Sequence, residues 1–383
     1  MKIIGVICEY NPFHLGHKKQ LDQIRQLYGD NCGIVCLMSG NYVQRGMPAI
    51  FDKSLRAQAA LASGADLILE LPITYALSSA EGFAFGGVRI LSKFCDGISF
   101  GTERGNKESL LRTAQTLLSP EFSQKLREQL DKGISFPVAR AAAMENDCDL
   151  LQKPNDILAV EYCKAILTLN CSMEIIPITR RGNYHDNVPD TEDPSATSIR
   201  QLIQTGSNWK QYTPLVAYGI QSQGIVHNLS AGERAVLARL RTIEDADFEA
   251  LPFGSEGLWR KFMHACRDSS TVDEIISKTK SKRYTRTRID RMIMCAYLGI
   301  TSSMMGAEPP YTRVLGFNDT GRYILKRARE SALMPHTGER IDDPYQRFES
   351  RCDDLYELFA TDGPQSAGTT SSRRVYIHKN ADC

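Results

Sequence analysis

His14 and His17 stand three residues apart in Asn11-Pro12-Phe13-His14-Leu15-Gly16-His17, just after an apolar run at residues 3–8. On a helix that spacing puts both rings on one face of the first turn. The same turn carries orphan N–H groups and the positive end of the helix dipole, a ready cradle for phosphate. Imidazole N–H groups can donate to phosphate oxygens, and a protonated ring would oppose charge building on a transferring phosphorus. Gly16 permits close approach of backbone or ligand, and Lys18 and Lys19 add positive potential. From the residues alone two other readings stay open: surface histidines at a helix start, or a metal pair, for which no third close ligand is evident.

A second cradle is offered by Ser195-Ala196-Thr197-Ser198-Ile199-Arg200, which restarts a helix after a proline-containing loop. Ser195 or Thr197 can cap the helix, and Arg200 can present a planar donor fork to phosphate, although an ordinary capped surface helix would look the same. Gly101 ends an apolar run and could lie against a base or ribose, or simply end a strand. Asn155 follows Pro154 and suits either a nucleotide contact or a helix cap. Asp52 reads as an N-cap, while Lys53 or Arg56 could face phosphate, RNA or water. Gln44 and Arg45 lie in a loop that could cover a small acyl site or only pack.

Lys278, Lys280, Lys282, Arg283, Arg286, Arg288 and Arg291 put seven basic groups in fourteen residues, opposed only by Asp290, with Tyr284 among them. Such a stripe can neutralise several nucleic-acid phosphates, or be a solvated charge run.

These residues need elements to position them. Apolar runs at 3–8, 33–38, 67–71, 97–100 and 173–178 read as strands, and the intervening helical patterns at 18–28, 52–63 and 79–94 give α/β units around a largely parallel sheet. Such sheets bind ligands beyond the carboxyl ends of their strands. Residues 229–300 carry helical periodicity without strand alternation. Three segments follow: an α/β domain at 1–210, a mainly helical domain at 211–360 and a polar tail at 361–383, expected to fray although 374–378 could form a short strand.

At 383 residues the chain suits two or three domains. A formal charge of +1 means that any nucleic-acid role rests on a local patch rather than on bulk charge. The eleven cysteines are scattered without a C-x-x-C, which favours buried free thiols in a reducing compartment, and so the cytoplasm. No apolar run is long enough for a membrane span.

The segment His14-Leu15-Gly16-His17 resembles the HxGH signature of the nucleotidyltransferase-like superfamily. With residues 39–46 (Ser39-Gly40-Asn41-Tyr42-Val43-Gln44-Arg45-Gly46) and 64–72 (Gly64-Ala65-Asp66-Leu67-Ile68-Leu69-Glu70-Leu71-Pro72), it looks like the bacterial tRNA(Met) cytidine acetate ligase family, from residue 3 to about residue 325. The resemblance implies a Rossmann-like domain followed by a mainly helical one. It implies ATP, accompanied by Mg²⁺, with acetate and elongator tRNA(Met) as partners. His14, His17 and Arg200 would be catalytic. Nucleotide contacts would come from Ile7, Asn11, Phe13, His14, Gly16 and His17 in the first block, and from Gly101 and Asn155 further on. Arg180, preferred over Arg181, would join Ser195, Thr197 and Arg200 on the phosphates. Tyr184, His185 and Asp186 could shape the acceptor end. Lys282, Arg283, Arg286, Arg288 and Arg313 would meet the tRNA. The resemblance leaves the oligomeric state and a general base unassigned.

Overall fold

The computed structural model describes residues 1–134, 136–144, 148–179, 194–328, 335–336, 343–369 and 373–379. Strand β1 (Lys2–Cys8) lies in the middle of the main sheet, paired in parallel with β2 (Cys32–Ser39). A small antiparallel hairpin follows, β3 (Tyr42–Val43) with β4 (Met47–Pro48). β5 (Leu67–Leu71) joins the far side of β2, and β6 (Gly97–Thr102) pairs with the other edge of β1. β7 (Glu174–Thr179) continues outward from β6. β8 (Thr312–Phe317) runs antiparallel to β5 and is flanked by the short strands β9 (Pro335–His336) and β10 (Tyr376–Ile377).

The core strands are near-continuous apolar runs because both of their faces are covered. Along β1, Ile3 and Ile7 pack into one layer, while Ile4, Val6 and Cys8 pack into the other. Helices Ala80–Leu91, Lys107–Leu118 and Pro154–Thr168 cover the first face, and Lys53–Ala62 with Leu215–Gln221 the second. Strand order runs β10-β8-β5-β2-β1-β6-β7. The chain therefore builds outward from β1 in one direction and then, from β6, in the other. The reversal leaves a crevice beyond the carboxyl ends of β1 and β6, where such sheets bind ligands.

A separate apolar core joins helices Leu229–Thr242, Leu258–Arg267, Val272–Thr279, Arg286–Leu298 and Pro344–Tyr356. One expectation needs correction. β8 and helix Asp319–Ala328 return to the first sheet, so the region 211–360 is not one helical unit. In the tail the short strand expected within 374–378 is present as β10, and the Thr361 N–H donates to Val226 O at 2.9 Å and the His378 N–H to Phe317 O at 2.9 Å. Among the described residues nine cysteines are free, eight of them buried. Among the described residues no helix is long and apolar enough to cross a membrane.

Candidate active site

Helix Leu15–Tyr28 starts immediately beyond β1 and is held down by buried Leu21 and Ile24. His14 is its N-cap. The His14 Nδ1 accepts from the Gly16 N–H at 3.1 Å, and the His17 Nδ1 accepts from the His14 N–H at 3.3 Å. The rings stack with centroids 3.7 Å apart. An Nδ1 that accepts leaves the ring proton on Nε2. The backbone thus sets both tautomers and leaves Nε2–H as the donor each ring can offer a phosphate oxygen.

The loop before the helix is fixed from several sides. The Arg56 guanidinium is fully buried and donates to the carbonyls of Glu9 (2.6 Å), Ser39 (3.1 Å), Phe51 (2.9 Å) and Gly40. The Asn11 Oδ1 accepts from the Ile50 N–H at 2.8 Å. Arg200 donates through Nη1 to Asn11 O at 2.7 Å and through Nη2 to Thr197 Oγ1 at 3.1 Å, which locks the second cradle onto the first. Ser195 caps its helix, accepting from the Ser198 N–H at 3.1 Å.

A cavity of about 560 Å³ opens in the crevice. Ile7, Asn11, His14, Gly16 and His17 line it, joined by Gly101, Asn155, Ser195 and Arg200. Lys19 lines it too, whereas Lys18 pairs with Asp22. Asn155 is oriented by Glu103, whose Oε1 accepts from its Nδ2 at 2.7 Å. The neighbouring Asp156 carboxylate, fully buried, accepts from the backbone N–H groups of Glu103 (2.9 Å), Arg104 and Gly105 and so shapes the turn after β6.

Two expected contacts do not reach the cavity wall. Phe13 is fully buried, edge-on to Tyr10 at 4.9 Å and 5.6 Å from the His17 ring, so it supports the histidines from behind. Thr197 is exposed and serves to hold Arg200. Arg180, Arg181, Tyr184, His185 and Asp186 lie outside the described residues.

The opposite wall was foreseen only in part, through the loop of Gln44 and Arg45 and the basic residue Arg286. Gln44 and Arg45, His227 and Asn228, and Arg286, Thr287 and Asp290 complete the cavity. The hairpin reaches across: the Gln44 N–H donates to Glu9 Oε1 at 2.7 Å, and Arg291 Nη1 lies 3.5 Å from Gln44 O. Gly46 at its tip has φ +77, and a Cβ there would lie 2.4 Å from the Arg291 backbone nitrogen and 2.7 Å from Asp290 O. Only glycine fits both the conformation and the contact. His227 had no local signal. Asp290 had one, as the single acid within a run of bases.

The basic stripe divides. Lys282, Arg283 and Arg286 are exposed, and Arg286 also lines the cavity, so the three lead from the surface to its mouth. Arg283 makes a surface pair with Glu256 at 2.6 Å. Arg288 is turned inward: it donates to Phe253 O at 2.8 Å and Ser255 Oγ at 3.0 Å and lies over the Tyr284 ring. Burial lowers the pKa of its guanidinium. Arg313 is committed elsewhere, 3.1 Å from Asp353, 3.3 Å from Glu349 and 3.6 Å from Glu70. Three buried carboxylates hold it, so it is a structural cation rather than an RNA contact. Lys53, also suspected of facing phosphate or RNA, is buried in the same network. Asp52 is the N-cap expected of it, accepting from the Ser54 and Leu55 N–H groups.

Comparison with known proteins agrees with this architecture. The family model described as HIGH Nucleotidyl Transferase matches residues 1–370. The tRNA(Met) cytidine acetate ligase of Clostridium novyi is 38% identical, covering 88% of this chain and 89% of that protein. The ligase of the same name from Thermosipho melanesiensis is 35% identical, covering 88% and 84%. The crystal structure of Thermotoga maritima TmcAL bound with alpha-thio ATP superposes with a TM-score of 0.86 at 30% identity, over 99% of this chain and 100% of that one. Its apo form gives 0.89 at 29% identity over the same shares. With two helix starts meeting beside a cavity at the sheet's point of reversal, this chain belongs to the HIGH nucleotidyl transferases and, among them, to the tRNA(Met) cytidine acetate ligase family.

Proposed function

We propose that the protein activates acetate with ATP and transfers the acetyl group to N4 of the wobble cytidine, C34, of elongator tRNA(Met). The observation that carries this reading is one cavity lined on its sheet side by His14, His17 and Arg200 and on its helical side by Arg286, at the end of the exposed basic residues. A triphosphate sits against the first turn of the helix that begins at Leu15. Acetate attacks the α-phosphorus, the bond to the bridging oxygen breaks, and pyrophosphate leaves. The two Nε2–H donors stabilise charge on the α-phosphate, and Arg200 faces the outer phosphates. The cytidine N4 then attacks the acetyl carbon and AMP departs. That amine is a weak nucleophile, so activation and positioning carry the second step.

Among the described residues no three His, Cys, Asp or Glu side chains converge as a metal site. Mg²⁺ would enter with the triphosphate, as it commonly does with few protein ligands, and no step is routed through it. The free buried thiols suit the cytoplasm, where the tRNA substrate is found.

The direct test is incubation with ATP, isotopic acetate and bulk tRNA, followed by mass analysis of the nucleosides. Labelled acetyl-cytidine is the expected product, and its absence would overturn the assignment. A second expectation concerns the stripe. The triple variant Lys282→Ala, Arg283→Ala, Arg286→Ala should bind tRNA more weakly. The slope of log affinity against log salt should fall by about 2, at roughly 0.7 per single-strand phosphate contact. An unchanged slope would remove these residues from the RNA path.

A further inference from the structure

We infer that Asp290 is the acceptor for the cytidine's exocyclic amine: it reads that amine as a donor and takes its proton during acetyl transfer. This rests on the function proposed above and assigns the group that receives the proton there.

Asp290 lies on helix Arg286–Leu298 and forms part of the cavity wall facing the histidine side. Its side chain is only 11% exposed, yet among the described residues no N–H or O–H donor reaches its oxygens. Its paired cation, Arg286 Nε, stays 3.7 Å away, and another nitrogen of that guanidinium turns to Asp273 at 3.2 Å. A half-desolvated carboxylate without hydrogen bonds is costly, and such groups concentrate at functional sites. It lines a cavity whose other charged residues are Glu9, which accepts from the Gln44 N–H, and the cations Lys19, Arg45, Arg200 and Arg286, and it lies beside the exposed basic residues along which RNA would enter. Cytosine presents its 4-amino group as a donor, for which a carboxylate is the matching acceptor; uracil presents an oxygen at that position, which the carboxylate repels.

The step balances. The N4 lone pair forms the bond to the acetyl carbon, the carbon–oxygen bond to AMP breaks with its electron pair staying on phosphate, and the proton lost by N4 passes to an Asp290 oxygen. Burial pushes the Asp290 carboxyl up to about 6. Arg286 and Arg291 of its own helix act in the opposite direction, and Asp273 of the preceding helix reinforces the rise. Arg45 is the charged residue of the hairpin tip that rests on it. The group is therefore a stronger base than an ordinary carboxylate while remaining largely ionised at neutral pH.

Two half-reactions separate this inference from its parent. Acetate-dependent exchange of labelled pyrophosphate into ATP reports activation, and single-turnover transfer from preformed acetyl-adenylate to tRNA reports the second step. For Asp290→Asn, exchange should persist while transfer falls about 100-fold. Wild-type transfer should decline as pH drops through about 6, as the carboxylate protonates. The Asn variant should lose that inflection, and Asp290→Glu should regain part of the rate with an inflection of its own. Transfer within threefold of wild type in the Asn variant would overturn the inference. So would a loss of exchange together with transfer, or an unaltered pH profile, since each marks a structural role. Absence of acetate-dependent exchange in the wild type would instead sink the proposed function itself, and this inference with it.

Discussion

A His17→Ala enzyme is expected to exchange pyrophosphate into ATP about 10²–10³-fold more slowly in the presence of acetate, the usual effect of removing one preorganised donor from a developing anion. The expectation follows from the way the ring is held. His17 Nδ1 is occupied by the backbone N–H of His14, and the two rings are stacked, so Nε2–H is already oriented before substrate arrives. A donor fixed in advance helps most where charge gathers in the transition state. The effect should therefore fall on kcat more than on the apparent KM for ATP. His14→Ala confounds two losses, because His14 also caps the helix, a contribution of about 1 kcal/mol. His14→Asn keeps a good capping residue and removes the ring, so it should unfold near the wild-type temperature while remaining slow. The losses in the double variant should not multiply, because each ring positions the other. tRNA affinity should be unchanged in all three. Wild-type exchange in His17→Ala would show that the triphosphate lies elsewhere.

Much of this arrangement was legible because its signals are local. Buried parallel strands are continuous apolar runs, and β1, β2, β5, β6 and β7 all came within a few residues of their expected bounds. The histidine pair, Gly101, Asn155, Ser195 and Arg200 each sit at a strand end or a helix start, where sequence marks the backbone directly. Contacts made at long range were not legible. The hairpin of β3 and β4 has two-residue strands and no alternation to read. β8 finds its partner β5 across more than 240 residues, which no periodicity encodes. Lys53 meets Asp353 across 300 residues. Arg288 was grouped with the RNA-facing bases by its place in a charge run and Arg313 by the family resemblance, whereas burial and pairing decide which way they point.

That hidden network carries the largest stability effect. The Lys53 ammonium is 3% exposed and lies 2.8 Å from Glu70 Oε1 and 2.7 Å from Asp353 Oδ2. Glu70 lies on β5, Asp353 belongs to helix Pro344–Tyr356, and Arg313 of β8 bridges the same acids, so the network clamps the helical core to the sheet. Three carboxylates share two cations, and the imbalance shows at Glu349, whose carboxyl is pushed up to about 7, chiefly by burial and further by Glu70. Lys53→Ala removes half of the positive charge and leaves Arg313 alone against three buried carboxylates, so it should cost about 3–5 kcal/mol in denaturant unfolding. The pH dependence has a definite sign. A carboxyl whose folded value is raised favours the fold when protonated and loses that contribution as pH rises through about 7. Stripped of Lys53, the cluster should take up protons more readily. The variant's deficit should therefore be smaller at pH 5 than at pH 8. Adding Glu70→Gln and Asp353→Asn to Lys53→Ala should recover part of the loss, because neutral partners no longer need a cation. Arg313→Ala should be destabilised likewise while leaving the salt slope of tRNA binding intact. A Lys53→Ala protein as stable as wild type at pH 8 would mean that the clamp contributes nothing, and a reduced salt slope in Arg313→Ala would return that arginine to the RNA interface.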